Sequence, residues 1–170
     1  VTHLRSLLLF LISTLWLALP ATAQNVAFGA VKADPSLPVE VTSDALSVNQ
    51  ADGAAEFTGS VLITQGVMRL SADRVLVVYK TDAEGKRAIE RLEATGRVLL
   101  VSGPDAAEAQ RAEYTIDDGT IVMTGDVLLD QGAGTLASQR MVVNLTTGTA
   151  SMAGRVKTIL NPSASSSDNN

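Results

Sequence analysis

From Val39 to Asn161, apolar and polar residues alternate with a period of two, and glycines interrupt the alternation at regular intervals. Four segments share a Gly-x-Val core: Phe57 to Ile63 around Gly59, Ala94 to Leu100 around Gly96, Met123 to Leu129 around Gly125, and Met152 to Thr158 around Gly154. Their glycines stand 37, 29 and 29 residues apart. A second alternating element precedes each core: Leu46-Ser47-Val48, Val75 to Tyr79, Ala112 to Ile116, and Met141 to Leu145. Arg74, Arg111 and Arg140 stand directly before three of these. The joining segments are Asp52-Gly53, Asp82 to Gly85, Asp117-Asp118-Gly119 and Thr147-Gly148. Glycine supplies the positive φ that a tight turn needs, so each unit reads as a β-hairpin. The charged run Lys86 to Glu93 is the longer arm of the second hairpin rather than a helical turn.

Side chains two apart on a strand share a face. One face then carries Phe57, Val61 and Ile63; Ala94, Val98 and Leu100; Met123, Val127 and Leu129; and Met152, Val156 and Thr158. On the preceding strands it carries Leu46 and Val48; Val75, Val77 and Tyr79; Ala112, Tyr114 and Ile116; and Met141, Val143 and Leu145. This face is apolar in every unit, whereas the other is mixed. A sheet with one apolar face packs on itself or on a second sheet, which predicts an all-β fold of stacked antiparallel strands, a jelly-roll or solenoid-like arrangement. Only 4% of residues are aromatic, so the apolar face fills either as an ordinary aliphatic core or incompletely, leaving room for a ligand. The first strand, Val39 to Thr42, and the last, Arg155 to Leu160, have nothing obvious to cover them. Val39, Val41, Val156, Thr158 and Leu160 are therefore candidate positions for edge pairing with another chain, although Lys157 and Pro162 equally suit blocked edges.

The flanks differ in kind. Residues 1–23 begin with His3 and Arg5, continue through an apolar run from Leu7 to Leu19, and end in Pro20-Ala21-Thr22-Ala23. That is the pattern of a cleaved signal peptide, with an apolar run shorter than the ~20 residues that cross a bilayer. Residues 24–38 have no strand or helix period and read as an extended leader. The folded domain is expected over 39–161, and residues 162–170, rich in Ser and Asn, as a disordered tail.

Composition removes whole classes of chemistry. The 170 residues contain no Cys and one His, which lies in the signal segment. Thiol, Cys-ligated metal and Ser-His-Asp chemistry are thereby excluded from the exported chain. Asp117-Asp118 is most simply a turn, Glu90 and Glu93 a solvated face, and Gln131-Gly132-Ala133-Gly134 a hairpin connection without the Lys-Ser/Thr of a phosphate loop. No catalytic residue, metal site or cofactor is expected, and the chain does not read as an enzyme. The net charge of -5, more negative still without Arg5, argues against nucleic acid as a partner.

The Val39 to Leu46 opening, Phe57-Thr58-Gly59-Ser60-Val61, Leu70-Ser71-Ala72-Asp73-Arg74-Val75-Leu76-Val77-Val78-Tyr79 and Ala94-Thr95-Gly96-Arg97-Val98 together resemble the OstA-like family of lipopolysaccharide-transport proteins. The resemblance spans roughly Val39 to Leu160. It implies an open-ended β-jellyroll in the periplasm whose apolar interior shelters the acyl chains of lipid A. On that reading the groove residues are Leu46, Val48, Phe57, Val61, Ile63, Val75, Val77, Tyr79, Val98, Leu100, Tyr114, Ile116, Met123, Val127, Leu129, Met141, Val143, Leu145, Met152 and Val156. It further implies head-to-tail self-association into a bridge between an inner-membrane LptC-type protein and an outer-membrane LptD-type translocon, with no cofactor. An inner-membrane-anchored LptC-like member and a ligand-free scaffold polymerising through its edges are the alternatives. The acidic charge leaves binding to the acyl chains. Arg74, Arg111 and Arg140 are then either local headgroup contacts or simple strand-end charges.

Overall fold

The computed structural model describes residues 24–29, 34, 36–49, 53–81, 83–132 and 134–160. The segment expected to be a signal peptide and the expected tail lie outside them, as do Asp52 and Asp82 of the expected turns. Among the described residues there are eleven strands in one antiparallel sheet and no helix. They are β1 (Gln24–Ala27), β2 (Glu40–Thr42), β3 (Ala45–Val48), β4 (Ala55–Gln65), β5 (Met68–Thr81), β6 (Arg87–Ser102), β7 (Asp105–Thr115), β8 (Thr120–Asp130), β9 (Gly134–Asn144), β10 (Thr149–Ala153) and β11 (Lys157–Leu160). From β4 to β10 each strand pairs with the next, a plain meander, while β2 and β3 both pair with β4 and β10 and β11 both pair with β9. The charged run after Lys86 is strand, as expected, and lies in β6.

The repeated Gly-x-Val core bends this sheet. The register shifts between Thr58 and Val61, Thr95 and Val98, and Thr124 and Val127, where the two residues Gly-x oppose a single residue of the neighbouring strand. Such a two-against-one bulge bends its strand and sharpens the local twist. Among the described residues, those with positive φ that are not glycine are Ser60, Arg97, Asp126 and Arg155, each directly following a repeat glycine that is itself left-handed. The opposing residues are Asp73, Gln110 and Gln139, and from the neighbour earlier in the chain Asp44, Asp73, Gln110 and Gln139 pack over Gly59, Gly96, Gly125 and Gly154. A Cβ at Gly96 would stand 2.6 Å from an Asp73 carboxylate oxygen, so this position requires glycine for space as well as for its φ of +79°. Arg97 donates to Asp73 from Nε at 3.0 Å, and Gln110 donates to Asp126 at 2.8 Å. Those contacts clasp two of the bends from outside, and the hydrogen bonds from Arg97 hold the Asp73 carboxyl below the usual carboxylate range.

The bends lie on one line, which divides the sheet into two leaves. Leaf I holds β3, β10, β1 and the halves of the long strands that pair with them; leaf II holds β2, β11 and the remaining halves. β2 and β3 are thus one bent strand, as are β10 and β11. The sheet is eight bent strands, with β1 added to leaf I alone. The inner faces of both leaves pack into one core that includes Ile63, Leu70, Val75, Leu100, Tyr114, Met123 and Met141. This open, folded sheet is the antiparallel β-jellyroll that the alternation and the resemblance predict.

Within the expected leader, residues 24–29 are paired and partly buried. Gln24–Ala27 pair antiparallel with β10, and Phe28 is buried at 2% exposure. The Phe28 N–H donates to Gly148 O at 3.0 Å on the leaf I side, and the next N–H, of Gly29, donates to Asp105 Oδ2 at 2.7 Å on leaf II. The chain therefore crosses from one leaf to the other here. A four-residue strand is too short to display a period, which is why its pairing is invisible in sequence.

A second link between the leaves is polar and buried. Tyr114 Oη on leaf I donates to Gln65 Oε1 on leaf II, and Gln65 Nε2 donates to Leu37 O at 2.9 Å. Burial pushes the Tyr114 hydroxyl up to about 12, against a lowering by its bond to Gln65.

Two stability measurements follow. In urea titrations Gly85→Ala, at a turn with open space around it, loses about 1 kcal/mol, and Gly96→Ala loses roughly twice that because Asp73 must also move. Tyr114→Phe loses about 1–2 kcal/mol at neutral pH, since Gln65 Oε1 loses a buried donor. The core holds the neutral phenol, so its contribution is complete below pH 10 and declines as pH rises toward about 12. Melts across that window fall more steeply for the wild type than for Tyr114→Phe.

Candidate functional site

The strand alternation and the bend together create one apolar interior between the leaves. Val61, Ile63, Val75, Val77, Val98, Leu100, Tyr114, Met123, Val127, Leu129, Met141, Val143, Leu145 and Met152 lie in it with exposures between 0 and 4%. In this state the interior is packed by its own side chains. Phe57, Tyr79, Ile116 and Val156 are half-buried against it.

Leu46 and Val48 sit differently from the rest. They are on the inward side of β3, level with Phe57 and Ala55 of β4, yet are 56 and 57% exposed. The apolar face thus continues to the edge of leaf I and stops uncovered, because β3 is the last strand there. Near this end the Arg87 guanidinium lies 3.9 Å from the centre of the Tyr79 ring and donates to Gly53 O at 2.5 Å. A cation therefore stands beside a partly exposed apolar ring.

At the edges, Val39 and Val41 pack partly against the core from the β2 side, while Thr158 and Leu160 of β11 are exposed, Leu160 at 73%. β2 and β3 form one rim of the folded sheet and β11 half of the other, with β1 forming the leaf I half. The strand β1 and Phe28 were not among the edge or interior positions legible in sequence.

Arg74, Arg111 and Arg140 are not strand-end charges. They lie mid-strand on the outer face beside the bend, in one row of the sheet with Thr58, Thr95 and Thr124 between them. All three are exposed, and Arg74 forms a bidentate pair with Glu56, which holds that carboxyl low. They stand on the side of the sheet away from the interior. Asp117 and Asp118 are in the β7–β8 turn, where Asp117 accepts from Lys80 at 2.5 Å.

Several interior residues escaped the sequence reading. Met68, Leu70, Ala72, Ala107, Ala109 and Leu136 line leaf II. Their signal is a change of parity. On β5, β7 and β9 the inward positions jump by three across the bend, from Ala72 to Val75, Ala109 to Ala112 and Ser138 to Met141. Counting by twos back from Val75 lands on Asp73 and Ser71, so that count ends the inward run at Arg74.

The matching relatives agree with this architecture. The model of the family described as "LptA/(LptD N-terminal domain) LPS transport protein" matches residues 40–149. An uncharacterised protein of Rhizobium meliloti (strain 1021) is 31% identical over 90 residues, covering 51% of this chain and 48% of that protein. The lipopolysaccharide export system protein LptA of Escherichia coli (strain K12) is 29% identical over 111 residues, 64% of this chain and 60% of that protein. The chain thus spans about half to three-fifths of the length of these relatives. In fold it is similar to the crystal structure of LptH, the LptA homologous periplasmic component of the lipopolysaccharide transport device of Pseudomonas aeruginosa. That match has a TM-score of 0.63 at 18% identity and covers 76% of this chain and 99% of that one. With the family model lying over all of β2 to β9, the chain belongs to the LptA/(LptD N-terminal domain) family of LPS transport proteins.

Proposed function

We propose that this protein is a periplasmic carrier that shelters the acyl chains of lipopolysaccharide between its two leaves and stacks head to tail to form part of a bridge between the membranes. The observation that supports it most is that the apolar inner face runs across every bent strand to two rims with free edges. Acyl chains enter by parting the leaves at the rim where Leu46, Val48 and Phe57 are already exposed or half-exposed, and they replace side-chain contacts with their own. Each buried CH₂ contributes about 0.8 kcal/mol, so a multi-acyl lipid offsets the loss of leaf-to-leaf packing. The role requires no catalytic residue and no cofactor. The headgroup stays in solvent, with the Arg87 guanidinium over the Tyr79 ring a cation on the same side of leaf I.

The registers support stacking in particular. The row of leaf I that starts at Ser47 runs strand by strand to Ser151, and the row of leaf II that starts at Thr42 runs to Lys157, without a slip along the sheet. The two rims also alternate correctly at the bend: β2/β3 carries the single residue Asp44 there, and β10/β11 carries the pair Gly154-Arg155. Antiparallel β11 against β2 of a following copy continues leaf II. A family that includes the N-terminal domain of LptD suits such like-on-like contacts with an outer-membrane LptD-type translocon, and an LptC-type inner-membrane protein would take the opposite rim.

The test is native mass spectrometry of the protein purified gently from a Gram-negative periplasm. A lipid A-containing adduct is expected, and Phe57→Glu and Ile116→Glu, which alter half-buried rather than core positions, reduce it several-fold while circular dichroism stays that of a folded β-protein. Ile63 and Val127 are unsuitable, since at 1% exposure a charge there tests folding. Lipid-free protein assembled into filaments overturns the carrier role in favour of an edge-polymerising scaffold.

A further inference from the structure

We infer that strand β1 stands in, within one copy, for strand β3 of the following copy, so that stacking through both leaves requires β1 to leave its place on β10. This rests on the head-to-tail reading and adds a regulated step to it.

The two rims do not match as they stand. At the β2/β3 rim both leaves end flush, because β2 and β3 pair with the same strand, β4. The other rim is stepped. There β10 and β11 both pair with β9, but β1 lies outside β10 while nothing among the described residues lies outside β11. When β11 pairs with β2 of a second copy, at the ~4.8 Å spacing of neighbouring strands, the connected β3 of that copy arrives one strand beyond β10. That position is the one β1 occupies.

Strand direction leads to the same conclusion. β1 and β3 both run from the bend toward the hairpin tips of leaf I: Gln24 to Ala27 run past Met152 to Thr149, and Ala45 to Val48 run past Thr58 to Ala55. Placed outside β1, the second copy's β3 would form a parallel pair in a sheet that is antiparallel throughout. Placed on β10 it forms the antiparallel pair β1 now makes, with Ser47 opposite Ser151 where Asn25 stands, and Val48 opposite Ala150 where Val26 stands. Both strands carry the same alternation. Val26 on β1 and Phe28 directly after it face inward, with Asn25 and Ala27 exposed; Leu46 and Val48 face inward on β3 and are exposed. Exchange would bury Leu46 and Val48 against Met152 and Ala150 and free the segment that carries Phe28 across the leaves.

The absence of native cysteine makes the exchange directly testable by disulfide trapping. In Ser47→Cys/Ser151→Cys, the two sulfurs lie on opposite rims of one copy and join only between copies. Mild oxidation is expected to give a ladder of covalent multimers on a non-reducing gel, as does the leaf II pair Thr42→Cys/Lys157→Cys. In Asn25→Cys/Ser151→Cys, oxidation clamps β1 onto β10, and sedimentation is expected to show self-association at least ten-fold weaker than for the same protein reduced. Cross-linking through leaf II without any through leaf I, or equal association of the clamped and reduced forms, overturns the inference and leaves stacking intact. No multimers through either pair overturn stacking and the inference with it.

Discussion

Everything in this protein depends on a two-residue bulge repeated along one line of a sheet. A flat meander of eight strands, each apolar on one side, would present a continuous greasy face to water. The Gly-x pairs at Gly59, Gly96, Gly125 and Gly154 place two consecutive residues at positive φ and so fold every strand at the same height. Glycine bears the first of these conformations without strain, while Ser60, Arg97, Asp126 and Arg155 bear the second at some cost. That cost is met by cooperative burial, because all the bends must form together for the leaves to close. The Asp or Gln packed over each repeat glycine covers the space a Cβ would need and binds the strained residue in two of the cases, through Arg97 and Asp126.

The same geometry lets a small aliphatic interior act as a core and, in the proposed role, also receive acyl chains. Its walls are joined along the bend, and across the open side the described residues make polar contacts such as Tyr114 with Gln65 and the Ala27 to Gly29 crossing with Gln131 and Asp105. Leaf-to-leaf contact is otherwise non-directional apolar packing, which a hydrocarbon chain can replace without leaving hydrogen bonds unmade. Strand-to-strand hydrogen bonds within each leaf are untouched by such replacement. Charge stays outside, in pairs such as Arg74 with Glu56 and Lys80 with Asp117 on the solvated face, where it keeps an acidic surface soluble and contributes little to the fold.

An open sheet is exposed to pairing at its rims, and this one treats its two rims differently. β2/β3 is left flush with apolar side chains showing, whereas β10 is covered by a strand from the start of the described chain. A local segment that satisfies an edge keeps an open-ended protein from uncontrolled assembly. A neighbour of the same fold offers a strand of the same direction and pattern, so the cover is exchangeable rather than permanent.

The sequence by itself determined the hairpins of leaf I and most of the inward residues on the bulged strands, because alternation and turn glycines are local signals. It also displayed the bend as a Gly-x-Val repeat without revealing it as a bend. On the strand that carries the bulge the two bulge residues preserve parity, so Phe57 and Val61 read as one straight strand. Tertiary structure alone decided the rest. On the strands opposite, a single residue spans the bend and parity slips, which hid the inner face of leaf II from Met68 to Ala72 and from Ala107 to Ala109. The pairing of Gln24–Ala27 with β10, more than a hundred residues away, and the exposure of Leu46 and Val48 at a rim depend on which strand ends up last in the sheet. No residue's local pattern encodes that.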